Sequence, residues 1–175
     1  HTADFYRNLY KSQPPIKERY VVSYVLDESK VIDLFVQMVA DTFRASVRKV
    51  SVGEKASSRY NIEEWLQMID HSVCVVTDSF HASVFSIIFQ KCFLCLGNKE
   101  RGMERFHSLL EPLGLSDRLI SAEEFSLPDT NINWKDVNER LEQMRISSRQ
   151  FLAEALGCKY LKGTRFVHFH MLSRP

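Results

Sequence analysis

Val73-Cys74-Val75-Val76-Thr77-Asp78-Ser79-Phe80-His81 is the stretch that decides the fold. Its first four residues are apolar without interruption, the pattern of a strand buried on both faces, and polarity begins abruptly at Thr77. Ala82–Gln90 then continues as an apolar helix. A strand that passes into a helix through one short turn is the opening of a βαβ unit.

The flanking sequence repeats this alternation. Upstream, Arg19–Leu26 is rich in β-branched and aromatic residues and reads as a buried strand ending at Asp27. Ser29 caps a helix whose apolar positions Val31, Leu34, Phe35, Met38 and Val39 follow helical spacing. Val47–Val52 reads as a second strand, and Asn61 with Glu63 and Glu64 opens a second helix. Downstream, Cys92–Leu96 is another buried strand, Glu104–Leu110 a short helix and Arg118–Ile120 a last short strand. Trp134, Val137, Leu141, Met144, Phe151, Leu152 and Ala155 mark a long C-terminal helix, with a predicted break near Ser147-Ser148. The expectation is an α/β fold: a parallel sheet with helices on both faces, joined by right-handed crossovers.

Bulk properties narrow the function classes. The chain has 175 residues, 45% hydrophobic and 26% charged, with a net charge of +1. That balance provides no global field for nucleic acid or an anionic membrane, so an anion site must be local. No apolar run reaches the roughly 20 residues of a membrane span. Of the four cysteines, Cys74, Cys92 and Cys95 sit in apolar runs and read as core hydrophobes of a reducing compartment. Cys92 and Cys95 have zinc or redox spacing, but three residues apart on a strand they face opposite ways. His168 and His170 share a strand face without a third ligand, so no metal site is expected.

Ligands bind outside the carboxyl ends of parallel strands, which selects two loops. In Thr77-Asp78-Ser79-Phe80-His81, Asp78 or Ser79 can cap the following helix, and His81 falls in its first turn beside the positive end of the dipole. In Gly97–Phe106, Lys99, Arg101 and Arg105 offer charge-assisted donors for phosphate or carboxylate, partly neutralised by Glu100 and Glu104.

Trp65-Leu66, Val75–Phe89, Asn98-Lys99-Glu100-Arg101-Gly102, Arg105–Leu110 and Leu113–Ile120 together, in this order, resemble the polysaccharide pyruvyl transferase family. The resemblance covers most of residues 20–156. It implies a Rossmann-like domain matching the C-terminal half of a two-lobed, glycosyltransferase-B-like enzyme. Residues 1–19 are then a lead-in, 20–157 the domain, and 158–175 a basic tail, native or appended. The resemblance implies transfer of pyruvate from phosphoenolpyruvate to a sugar as a ketal, in exopolysaccharide biosynthesis and without a cofactor. His81 is the catalytic candidate, with Thr77, Asp78, Ser79, Asn98, Lys99, Arg101 and Arg105 on the donor. The implied partners are phosphoenolpyruvate, a glycan or lipid-linked sugar acceptor, and an N-terminal half absent from this chain, without which it is expected to be inactive. The implied location is the cytoplasm, peripheral at the inner membrane face. Where the family motif often carries Arg this chain has Ser79, which weakens donor binding unless Arg101 or Arg105 supplies the cation. A nucleotide-sugar glycosyltransferase of similar fold and a non-catalytic assembly module are the competing readings.

Overall fold

The computed structural model describes residues 2–50, 60–97, 102–121 and 125–157. The chain divides into two compact units, His1–Trp134 and Lys135–Pro175. The first contains five strands: β1 (Tyr20–Tyr24), β2 (Ser46–Lys49), β3 (Cys74–Thr77), β4 (Cys92–Gly97) and β5 (Leu119–Ser121). All neighbours pair in parallel, in the order β2-β1-β3-β4-β5. The predicted α/β class and parallel sheet are therefore present.

Helices α1 (Ala3–Tyr10), α2 (Lys30–Thr42), α3 (Ile62–His71), α4 (Phe80–Ile88) and α5 (Glu104–Leu113) complete this unit. The crossover through α2 moves outward from β1 to β2, and those through α3, α4 and α5 move in the opposite direction across the sheet. With one crossover hand, α2 lies on one face and α3 and α4 on the other. Side chains agree with this division. Val21, Cys74, Val76, Leu94 and Ile120 pack with Phe35, Val36 and Val39 of α2. On the opposite face the Cys95 sulfur lies 3.0 Å from the Ser83 hydroxyl of α4. The inner strands β1, β3 and β4 are buried on both sides, which is why their sequences are largely apolar without alternation, whereas the edge strands β2 and β5 are more exposed.

Helix starts follow local chemistry. The Ser29 side chain accepts from Ile32 N, and Asn61 and Glu64 form a reciprocal capping box at the start of α3. The end of α5 is set by Gly114 at φ +71°, where Leu115 N reaches back to Leu110 O. A β-carbon in this left-handed conformation is costly, so Gly114→Ala is expected to lower stability by about 1 kcal/mol. A lower urea midpoint at unchanged m-value is the readout.

Two features depart from the sequence reading. Residues assigned to a lead-in contain α1, which packs against α3. Phe5, Tyr6, Leu9 and Tyr10 follow helical spacing, so α1 carries a periodic signal of its own, though over only two turns. The last helix, α6 (Trp134–Ala155) in the second unit, runs unbroken through Ser147 and Ser148. Exposed serines in a helix interior each cost only a few tenths of a kcal/mol, too little to break it. No described helix is long and apolar enough to cross a membrane. Ser51 and Val52 of the second predicted strand, the fourth cysteine Cys158, and His168 and His170 lie outside the described residues.

Candidate functional site

The strand order reverses between β1 and β3, because the chain leaves β1 toward β2 and returns on its other side. This switch point opens a crevice at the carboxyl edge of an α/β sheet. Thr77-Asp78-Ser79 stands there, and all three residues are buried.

Their hydrogen bonds define what each one does. The Thr77 hydroxyl donates to Tyr24 O and accepts from Ser79 N at 3.0 Å, fixing the turn against the end of β1. The Asp78 carboxylate accepts from Leu26 N at 2.8 Å and from Asp27 N at 3.0 Å. It therefore clamps the β1–α2 loop across the crevice with one oxygen for each amide. Its charge also reaches Tyr24, whose phenol is pushed up first by burial and then by Asp78. Asp78 caps no helix and makes no hydrogen bond to His81 among the described residues.

Ser79 is the N-cap of α4, yet its side chain makes no capping hydrogen bond. The first-turn amides of α4 are consequently not satisfied by their own cap, and they form the positive end of a nine-residue helix. His81 is exposed in this first turn. Behind it, the Ser83 hydroxyl donates to Ser79 O and the Ser86 hydroxyl to Ala82 O, so α4 turns small side chains toward the sheet.

The second predicted loop is described only in part. Asn98, Lys99 and Arg101 lie outside the described residues. Arg105 is described, and a row of rings links it to the first loop. Its guanidinium carbon lies 5.2 Å from the Phe106 ring centre, Phe106 meets Phe80 edge-on at 6.1 Å, and Phe80 meets His81 at 6.2 Å. Phe80 and Phe106 were not singled out from sequence. Their only signal was a position just inside each helix start, which many core residues share. At the end of β4 a β-carbon on Gly97 would stand 2.8 Å from Met103 Sδ, so the chain returns tightly over the strand end. No group of three or more metal-ligating side chains occurs among the described residues.

The fold and this edge define a class: an α/β protein with an uncapped helix start, a histidine and an arginine at the carboxyl end of a parallel sheet. The profile of the polysaccharide pyruvyl transferase family matches residues 2–100, more than half of the chain. The chain belongs to the polysaccharide pyruvyl transferase family. The match takes in α1 and ends at Glu100, so the similarity noted over Arg105–Leu110 and Leu113–Ile120 lies beyond it. No curated protein and no solved structure matches the chain.

Proposed function

We propose that the chain forms the donor side of a site that transfers pyruvate from phosphoenolpyruvate to two hydroxyls of a sugar. The observation that carries this reading is the uncapped start of α4 with His81 in its first turn. Phosphoenolpyruvate carries a phosphate and a carboxylate, and helix-start amides with arginine nearby are complementary to such groups. Family membership supports the reaction class.

In this reading Ser79 and the first-turn amides of α4 hold one anionic end of the donor. Arg105, with Asn98, Lys99 and Arg101, receives the other. Thr77 and Asp78 are positioning residues, since their polar atoms are taken up in fixing the turn. The methylene carbon of the donor takes a proton and becomes methyl, leaving an oxocarbenium-like centre. One sugar hydroxyl attacks that centre, phosphate leaves, and the second hydroxyl closes the ketal. His81 is the group to deliver and recover protons. The acceptor, a glycan or lipid-linked sugar, approaches from outside this sheet edge, where the N-terminal lobe implied by the resemblance would stand.

Isothermal titration tests this directly. Phosphoenolpyruvate is expected to bind the unaltered chain and to bind His81→Ala at least tenfold more weakly, about 1.4 kcal/mol. Because His81 is exposed, its urea midpoint should be unchanged. Selective binding of nucleotide sugars would replace this reading with a glycosyltransferase. Binding of neither would leave an assembly module.

A further inference from the structure

Cys74 and Cys92 are register partners at the amino ends of β3 and β4, with their sulfurs 3.5 Å apart. We propose that this pair is a peroxide-reactive modification site, in which Cys92 is oxidised first and Cys74 resolves it to a cross-strand disulfide.

Three observations separate the pair from ordinary core cysteines. The first is placement: both sulfurs lie on the α2 face of the sheet, one strand apart. Closing the gap to the roughly 2.05 Å of a disulfide needs only side-chain rotation and a small approach of neighbouring strands. The second is asymmetry. Cys74 is fully buried whereas Cys92 is partly exposed, so an oxidant meets Cys92 first. The third is a buried charge whose field reaches both thiols. Arg118 is 2% exposed, and its Nε and Nη1 have no hydrogen-bond partner among the described residues; Nη2 alone donates, to Asp117. Leaving two guanidinium donors unpaired in the interior is costly unless something else there uses the charge.

The thiols register this arrangement. Cys92 is held below the ordinary thiol range, first by the S–H that Cys74 donates to it and then by Arg118, against burial and Asp129. Cys74 is pushed up by that same hydrogen bond and by burial. A partly exposed thiol that loses its proton more readily than its buried partner is the pairing that redox-reactive cysteines use. Cys95, by contrast, is fully buried on the other face and pushed up to about 12 by burial.

The chemistry balances with hydrogen peroxide as oxidant. The Cys92 thiolate attacks one oxygen, the O–O bond breaks, and the departing hydroxide takes up a proton as water. Cys92 is now a sulfenic acid. The Cys74 sulfur attacks the Cys92 sulfur, loses its proton and expels a second water as the S–S bond forms. Two thiols have been oxidised and one peroxide reduced to two waters.

Peptide mapping of the full chain after one equivalent of hydrogen peroxide tests the assignment. The expected product is a Cys74–Cys92 cross-linked peptide pair, about 2 Da lighter than the two free peptides together and released by dithiothreitol. In Cys74→Ser the same treatment should leave a sulfenic acid on Cys92, trapped by dimedone. In Arg118→Met, if it remains folded by circular dichroism, the oxidation rate at neutral pH should fall several-fold. A cross-link through Cys158, dimedone adducts confined to Cys95 or Cys158, or a chain whose Cys74 and Cys92 remain unreacted would each overturn the assignment. Because the readout is covalent and needs no substrate, its failure leaves the pyruvyl-transfer reading intact.

Discussion

Replacing Asp78 by Ala is expected to destabilise the protein by about 3–4 kcal/mol. Its buried carboxylate satisfies two backbone amides of the β1–α2 loop, Leu26 N and Asp27 N. Hydrogen bonds to a charged acceptor contribute about 1.5–3 kcal/mol each, and both amides would be left in a partly buried loop without protein partners. Asp78→Asn keeps one acceptor oxygen and should lose roughly half as much, which separates the clamp from simple loss of volume. Urea unfolding measures both. A loss below 1 kcal/mol in Asp78→Ala would mean that water replaces the carboxylate and that the β1–α2 loop is not held in place by this residue. The larger value would also mean that Asp78 variants lose donor binding through disorder of the turn, so a dead Asp78→Ala protein would not identify a catalytic acid.

The second large effect concerns α1. Arg7 donates to Asp70 through Nε at 2.7 Å and Nη2 at 3.1 Å, and the Tyr10 hydroxyl donates to the same carboxylate. Burial pushes the Asp70 acid up, but the Arg7 and Tyr10 hydrogen bonds and the Arg7 charge outweigh it and hold the group below its usual range. Arg7 is itself 46% exposed, so its ion pair is partly screened. Most of the cost of Asp70→Ala is therefore the stranded Tyr10 hydroxyl, 6% exposed at the residue level, and the lost bidentate contact. The expected total is about 2–4 kcal/mol. The sign with pH follows from the depressed folded-state pKa. This stabilisation is present above the unfolded carboxylate value of about 3.9 and is lost as pH falls through the lower folded-state value. Unfolding of Asp70→Asn and the unaltered protein should therefore differ at pH 7, and the difference should shrink as pH falls below the unfolded carboxylate value. A difference that stayed constant with pH across the acid range would show that the carboxylate charge is not what docks α1.

These two carboxylates show what could and could not be read from the chain. The parallel sheet was legible because a strand buried on both faces must be apolar throughout, and Val73–Val76 and Cys92–Leu96 meet that condition without ambiguity. Helix starts at Ser29 and Asn61 were legible because capping is local chemistry, complete within four residues. Asp70 and Asp78 find their partners 60 and 63 residues away, and 51 and 52 residues away, where no spacing rule reaches. The same limit hid the sulfur pair. Spacing in sequence pairs Cys92 with Cys95, whereas its partner in space is Cys74 on the next strand. At the site, the turn from Thr77 to His81 was visible as a strand end against a helix start. That Thr77 and Asp78 spend their polar atoms inside the protein was not, since a capping and a clamping aspartate have identical sequence surroundings.

In the proposed function the start of α4 receives phosphoenolpyruvate. The most direct measurement is a titration of the isotope-labelled chain with this donor, followed through its backbone amide resonances. The Ser79, Phe80, His81 and Ala82 amides should shift together and saturate with phosphoenolpyruvate, while a nucleotide sugar at the same concentration leaves them in place. Unmoved α4 amides under saturating phosphoenolpyruvate, or movement with the nucleotide sugar alone, would contradict the account.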